Sequence, residues 1–429
     1  MGKFENLYTP IKEFLSPPEF ADSARLSPRD FTRQRALPLP QLVGLLLNLR
    51  KGTLQAELDG FWEVLTGEPL AQGVSASALG QARQKLNPLA LLCLSERLVR
   101  TFADQFCLRR WHGWRLLATD GSTVRLPNTA DVAAVFGPPP KGSAVPLGRF
   151  SQLYDVLNDV VVDADVFPHD VGERVLAGEH LAATGPTDLV LYDRGYPAFW
   201  LFVLHLVEQR QFCARVPATF SNEVKAFLAS GARSALVPFT PGSEARKQCQ
   251  AFDLPCDPIN VRLVRVTLDN GQTEVLTTSL HDEGEWPTAW FKGLYHLRWG
   301  VEEAYKREKC RVEIENFSGL SAQVVRQDIY AKLFTLNLTA ICAWVAQAIA
   351  DRLYQHRRRA YRVNFAHALS KMKASVVRLL LGAEAAGLLC PLVLAMVANV
   401  EAVRPDRAAP RKMKPAKLQG FFPNNKRCR

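Results

Sequence analysis

Apolar residues recur at helical spacing through the first 110 positions. "LPQLVGLLLNL" opens behind Pro38 and Pro40, which favour a helix start, and "TLQAELDGFWEVL" repeats the pattern with Thr53 as its cap. "SASALGQARQKLNPLALLCLSERLVRTFADQF" predicts a short helix over 75–86, a break at Asn87-Pro88 and a longer helix beyond it. From Trp111 the pattern becomes that of strands. "WRLLATDGSTVRL" reads as a strand whose end is polar. "FSQLYDVLND" and "VVVDADVF" read as two more, joined at Asn158-Asp159. "GERVLAGEHLAA" predicts a helix, "DLVLYDRGY" a buried strand ending in charge, "PAFWLFVLHLVEQR" a helix and "QFCARVP" a strand. The order βββ-α-β-α-β is that of a mixed sheet flanked by helices, an α/β organisation.

Residues 218–286 interrupt that order. They are rich in Gly, Pro, Ser and Thr, and Asp269-Asn270-Gly271 between alternating segments signals a hairpin, so a β-rich insertion is expected. Helices resume at Trp286. "YHLRWGVEEAYKREK" reads as a single helix. At about 100° per residue, Tyr295, Arg298, Glu302 and Lys309 fall within roughly 60° of one another. The uncharged run 333–350 contains Asn337, Gln347 and two threonines, which suits a buried helix better than a membrane span. A basic helical stretch, an apolar helical stretch over 376–400 and a Pro-rich basic tail, expected to be disordered, complete the chain.

This pattern divides the chain into a helical N-terminal region (1–110), an α/β core in two parts (111–217 and 287–350), the β-rich insertion (218–286) and a helical basic C-terminal region (351–429). Charge sharpens the division. The net charge is +11, yet 351–429 holds 17 Lys+Arg against 4 Asp+Glu and the remainder 36 against 38. A near-neutral body with a basic end points to a polyanionic partner, nucleic acid before an anionic membrane. Within the N-terminal region the short helix carries Gln81, Arg83, Gln84 and Lys85 on its expected outer face, residue types that read base edges. An ordinary solvated helix face has the same composition. Nine cysteines with no CxxC pair support neither a zinc site nor a disulfide framework, and fit a reducing compartment. The N-terminal residues show no signal peptide. Histidines do not cluster, and no P-loop or GxSxG elbow is present, which argues against P-loop ATPases and serine hydrolases.

Two strands end in an acid: Asp120 before Gly121, and Asp193 before Arg194-Gly195-Tyr196. In open α/β sheets, sites form at the carboxyl ends of strands. Either Asp alone could simply cap a turn. Glu302 is the third acid, on a helix face that also offers phosphate binders: Arg298 as a bidentate grip, Lys309 as a point charge and Tyr295 as a donor. Mg²⁺ takes one or two carboxylates with waters and substrate phosphates, and two such ions suit an in-line phosphoryl displacement. The competing explanation is electrostatic. Arg298–Glu302 and Glu302–Lys306 are i,i+4 pairs, each worth about 0.2–0.5 kcal/mol on a surface helix. Asp155, Asp163, Asp165, Asp170 and Glu303 are competing acids.

"YHLRWGVEEAYKREK" resembles the Tyr-x2-Arg-x3-Glu-x6-Lys signature of DDE transposases of the bacterial insertion sequence four family, with Tyr295, Arg298, Glu302 and Lys309 at its four positions. "ATDGSTVRLP" and "LYDRGY" resemble that family's first-Asp and second-Asp strands, and the similarity spans roughly residues 30–380. The resemblance implies a ribonuclease-H-like catalytic core with a β-rich insertion, and the helical N-terminal region is expected to bind DNA through its short polar-basic helix. Asp120, Asp193 and Glu302 would be the metal-binding catalytic triad, holding two Mg²⁺ ions that Mn²⁺ can replace. Tyr295, Arg298, Lys309 and Arg194 would hold DNA phosphates. The implied protein acts on double-stranded DNA, transposon ends and target, as a homodimer in the bacterial cytoplasm at the nucleoid, with no membrane. A catalytically inactive DNA-binding protein and a ribonuclease-H-like nuclease without strand transfer are the alternatives. Some relatives carry a tryptophan in the insertion to stack on a flipped base. This chain has none between Trp200 and Trp286, so either Phe220, Phe227, Phe239 or Phe252 takes that role or strand separation differs.

Overall fold

The computed structural model describes residues 15, 18–33, 36–48, 52–69, 73–382 and 385–404. The basic tail from 405 onward lies outside the described residues. The chain divides into two compact units. One holds Met1–Cys107, Val124–Gly148 and Glu308–Arg429; the other holds Leu108–Thr123 and Arg149–Arg307.

The sheet has eight strands: β1 (Arg115–Arg125), β2 (Leu147–Asp155), β3 (Val160–Pro168), β4 (Asp188–Tyr192), β5 (Gln211–Val216), β6 (Ser234–Phe239), β7 (Ile259–Thr267) and β8 (Thr273–Thr278). Their order is β3-β2-β1-β4-β5-β8-β7-β6. β1, β4 and β5 run parallel, and β8, β7 and β6 continue the sheet antiparallel. All five residues of β4 are buried, as a strand covered on both faces requires. The hairpin signal at 269–271 joins β7 to β8, with Gly271 at φ 81°. The segment 218–286 also carries two helices, and its three strands extend the same sheet beside β5 rather than forming a separate one. The molecule is thus a mixed α/β protein with a large central mixed sheet and many helices.

Six helices accompany these strands: α1 (Glu173–Glu179), α2 (Phe199–Val207), α3 (Asn222–Ser230), α4 (Ser243–Ala251), α5 (Trp290–Leu297) and α6 (Gly300–Cys310). The core of this unit gathers Phe199, Leu201 and Phe202 of α2, Val190 and Tyr192 of β4, Phe212 of β5 and Val261 and Leu263 of β7. The predicted single helix over 295–309 is two helices. Between α5 and α6 the backbone bonds contract to i→i−3, from Arg298 to Tyr295, Trp299 to His296, Val301 to Arg298 and Glu302 to Trp299, at 3.1–3.2 Å. Three residues per turn there, instead of 3.6, bring i and i+3 into line.

In the other unit, Thr53 caps the helix Leu54–Thr66 by accepting from Ala56 N–H. The apolar run lies in the helix Ala322–Leu353, 72% of whose most apolar window is buried, with Thr335 and Thr339 bonded to backbone carbonyls. That suits a core helix. The segment after it leaves the helix at Tyr354 and forms a short strand pair, Tyr361–Val363 with Val400–Ala402, around the helices Phe365–Leu381 and Ala385–Val397.

Candidate active site

Strand register places the first two acids side by side. β1 pairs with β4 from Arg115↔Asp188 to Ala118↔Leu191, so the next steps bring Asp120 level with Asp193. β1 itself runs on to Arg125; what ends before Asp120 is its pairing with β4. β4 pairs with β5 up to Tyr192↔Ala214, which puts Arg215 level with Asp193. Asp120, Asp193 and Arg215 therefore form a row across three parallel strands. The row lies where strand order switches from β2 on one side of β1 to β4 and β5 on the other, the position at which open α/β sheets bind ligands.

Each acid has its own partners. Asp120 Oδ1 accepts from the Gly121 N–H at 2.9 Å. Burial pushes the Asp120 carboxyl up to about 6; the Gly121 bond and Arg298 oppose this, and the charges of Asp193 and Glu302 add to it. Asp193 Oδ1 accepts from Arg194 N–H (2.6 Å) and Arg215 Nη2 (3.0 Å), with the Tyr295 hydroxyl at 3.4 Å. Glu302 Oε1 accepts from Arg298 Nη2 at 2.7 Å. This is the i,i+4 pair weighed in the sequence, but it is no surface pair: Arg298 is only 4% exposed. The tightened turn stacks its guanidinium 5.9 Å from the Tyr295 ring centre, and Arg215 stands 6.0 Å from the same centre. Burial pushes the Tyr295 hydroxyl above the usual phenol range. The Tyr305 hydroxyl of α6 donates to the Asp120 carbonyl at 2.6 Å, tying that helix to β1.

The structure thus brings together Asp120, Asp193, Glu302, Tyr295 and Arg298, with Arg194 exposed on the turn after β4. Lys309 is exposed at the end of α6 and groups with the other unit. Arg215 was not foreseen. Its signal was an arginine closing the apolar strand "QFCARVP", readable only once strand order is known. Of the five competing acids, Asp155 is buried and caps the turn after β2 through Leu157 and Asn158, Asp163 holds His180 at 2.7 Å, and Asp165 accepts from Val166 N–H. Asp170 and Glu303 are exposed.

The short helix predicted over 75–86 spans Ala76–Arg83; Gln81 on it is exposed, and of the turn after it Gln84 is exposed and Lys85 partly exposed. Arg83 is not on the outer face. It is 3% exposed and gives its guanidinium to Asp328 (2.7 Å), Gln327 (2.8 Å) and Ser318 (2.5 Å), so its expected role as a base contact is corrected to a structural one. Of the four phenylalanines, Phe227 and Phe239 are buried in the core, and Phe252, 42% exposed, stacks on Trp200 at 4.4 Å.

The donor set suits a hard divalent cation, being all oxygen and self-repelling. As placed, no three His, Cys, Asp or Glu side chains among the described residues stand close enough to hold a metal ion. Arg215 and Arg298 neutralise Asp193 and Glu302 instead, and each of these arginines keeps a buried Nε with no hydrogen-bond partner. Such half-satisfied guanidinia have capacity for a further acceptor, as anion sites do. A separate cleft of about 450 Å³, lined by Arg233, Arg265, Glu283 and Lys292 among others, contains none of the three acids.

No family model matches the chain. Over 351 residues it is 24% identical to transposase InsG for insertion sequence element IS4 of Escherichia coli (strain K12), across 79% of this chain and 78% of that protein. It also aligns with the piggyBac transposase synaptic complex with hairpin DNA at TM-score 0.46 and 10% identity, over 92% of this chain and 86% of that one. The similarity to InsG extends over more than three quarters of both chains.

Proposed function

We propose that the chain is a DDE transposase of the insertion sequence four type, with a ribonuclease-H-like core, that binds the inverted-repeat ends of its element and catalyses metal-dependent DNA cleavage and strand transfer. The observation that carries this reading is the row of Asp120, Asp193 and Arg215 across three parallel strands, with the Arg298–Glu302 pair within its electrostatic reach. Asp120, Asp193 and Glu302 would hold two Mg²⁺ ions, or Mn²⁺ in their place. Bound there, the ions supply Lewis-acid stabilisation of the attacking and leaving oxygens in phosphoryl transfer.

The side chains do the rest. In the free protein Arg298 and Arg215 sit on Glu302 and Asp193. An incoming phosphodiester offers both guanidinia a new acceptor and frees the carboxylates, so substrate arrival and assembly of the acids are coupled. Arg298 grips the phosphate bidentately, and Tyr295, kept protonated by its burial, donates to a phosphate oxygen. Arg194 at the rim and Lys309 add positive charge along the backbone of the DNA. Catalysis then rests on positioning and charge stabilisation. The working form is a homodimer joining two ends on double-stranded DNA, in the bacterial cytoplasm.

The test uses DNA that flanks the coding region as candidate ends. Asp120→Ala, Asp193→Ala and Glu302→Ala are each expected to abolish Mg²⁺-dependent cleavage while leaving end binding within about twofold by gel shift. Retained cutting by any of them sinks the triad. Cleavage without joined products would leave a nuclease, and end binding without cleavage by the unaltered protein would leave a DNA-binding protein.

A further inference from the structure

Tyr196 closes the "LYDRGY" motif and has no part in the mechanism above. A tight turn returns it to the site: its N–H donates to the Asp193 carbonyl at 3.1 Å. Its ring packs 5.7 Å from that of Tyr192 in the core around β4 and α2, and the residue is 2% exposed. Yet its hydroxyl has no hydrogen-bond partner among the described residues. Other tyrosines of this unit are satisfied. The Tyr192 hydroxyl meets His205 Nε2 at 2.9 Å, that of Tyr154 donates to Asp159 at 2.8 Å, and that of Tyr305 donates to the Asp120 carbonyl. A buried hydroxyl left alone is costly, and phenylalanine would fill the same space without that cost.

What surrounds the hydroxyl gives it a candidate acceptor. Burial and then the negative charges of Asp120 and Glu173, with the Tyr192 hydroxyl and Asp193 behind them, act on it. A buried hydroxyl that has no acceptor and lies in the field of carboxylates is a donor in reserve. Glu173 is already taken by the Arg149 guanidinium and Asp193 by Arg215. Asp120 has one oxygen on the Gly121 N–H and the capacity of a carboxylate for more.

We propose that Tyr196 is a positioning residue: its hydroxyl donates to the Asp120 carboxylate once the site is loaded, and fixes the orientation in which Asp120 works. This rests on the reading of Asp120, Asp193 and Glu302 as the catalytic acids. Groups that orient a ligating carboxylate typically change metal affinity or activity by about 10–100-fold when removed. Tyr196 touches no reacting atom, so its loss acts on the rate constant and not on DNA affinity.

The experiment compares the full-length unaltered chain, Tyr196→Phe and the control Tyr192→Phe. For Tyr196→Phe the melting temperature without divalent metal is expected to stay level or rise, because an orphaned hydroxyl is gone. Binding to end DNA stays within about twofold. The cleavage rate at saturating DNA falls about 10–100-fold. The upward shift of melting temperature on titration with Mn²⁺ moves to higher Mn²⁺ concentration. Tyr192→Phe, which breaks a made hydrogen bond, shows the reverse: a lower melting temperature and an unchanged Mn²⁺ midpoint. Full cleavage by Tyr196→Phe beside a cleaving unaltered protein overturns the inference alone, as does a drop of several degrees in its metal-free melting temperature. An unaltered protein that cleaves no end DNA overturns the catalytic reading, and this inference with it.

Discussion

Arg83 shows how much a residue's role depends on which face of a short helix it takes. Its type matched a base-reading set, but Leu79 and Arg83 are four apart and share the buried face of the helix Ala76–Arg83. That spacing was legible. The partner was not, because Asp328 is 245 residues away along the chain. A buried arginine–carboxylate pair is costly to break from one side, since the survivor is left charged and unpaired. Arg83→Met should lower stability by about 3–5 kcal/mol, read as the midpoint of urea unfolding. Adding Asp328→Leu should recover most of that loss. If Arg83→Met instead left stability unchanged and weakened DNA binding, the original reading of the residue would return. Asp120, Asp193 and Glu302 stood out as candidates for a different reason: each carries its signal locally, as an acid after an apolar strand or on a cationic helix turn.

Elements were legible where their pattern is local and hidden where their partner is not. Apolar and alternating runs revealed β1 to β5, and Asp269-Asn270-Gly271 revealed the β7–β8 hairpin, while β6 and the two helices of the insertion went unread. That β8 pairs with β5, as in Cys213↔Thr278, depends on a contact 65 residues apart that no periodicity encodes. The helix Ala130–Phe136 went unread although Thr129 caps it, accepting from Val132 N–H, because seven residues are too few to show a helical repeat. The break between α5 and α6 was equally hidden, since every residue across it is compatible with a continuous helix except Gly300. A Cβ on Gly300 would stand 3.2 Å from the Val156 Cβ, so the turn before Glu302 packs closely on the loop after β2. Helix propensity favours alanine there by about 1 kcal/mol. Overpacking opposes it by about 1–3 kcal/mol, and the crowded atom is the Val156 Cβ, which is bonded directly to the backbone and moves only with it. Gly300→Ala should therefore lose stability and slow cleavage, because Glu302 is the next residue but one. A rise in the urea midpoint with undiminished cleavage would show that Val156 gives way.

At the scale of the whole molecule, charge separates what binds DNA from what acts on it. The acids of the candidate site repel phosphates, and residues 1–350 carry no net positive charge to offset them. Attraction must come from the C-terminal part, where 404–429 alone holds nine Lys+Arg against one Asp. Each phosphate neutralised by such a cation releases counterions, so the logarithm of the binding constant falls with the logarithm of salt by about 0.9 per contact. Deleting 404–429 should weaken binding to end DNA and to unrelated DNA by the same factor. It should flatten the salt slope by several units, about four if half the cations make contact. Cleavage at saturating DNA and low salt should keep its rate, because the deleted residues include none of the acids, Tyr295 or the arginines around them. Titrations of both DNAs across a range of salt concentrations measure each quantity. An unchanged slope would mean that these cations face solvent, and an equal loss of cleavage at saturation would mean that the segment reaches the site itself.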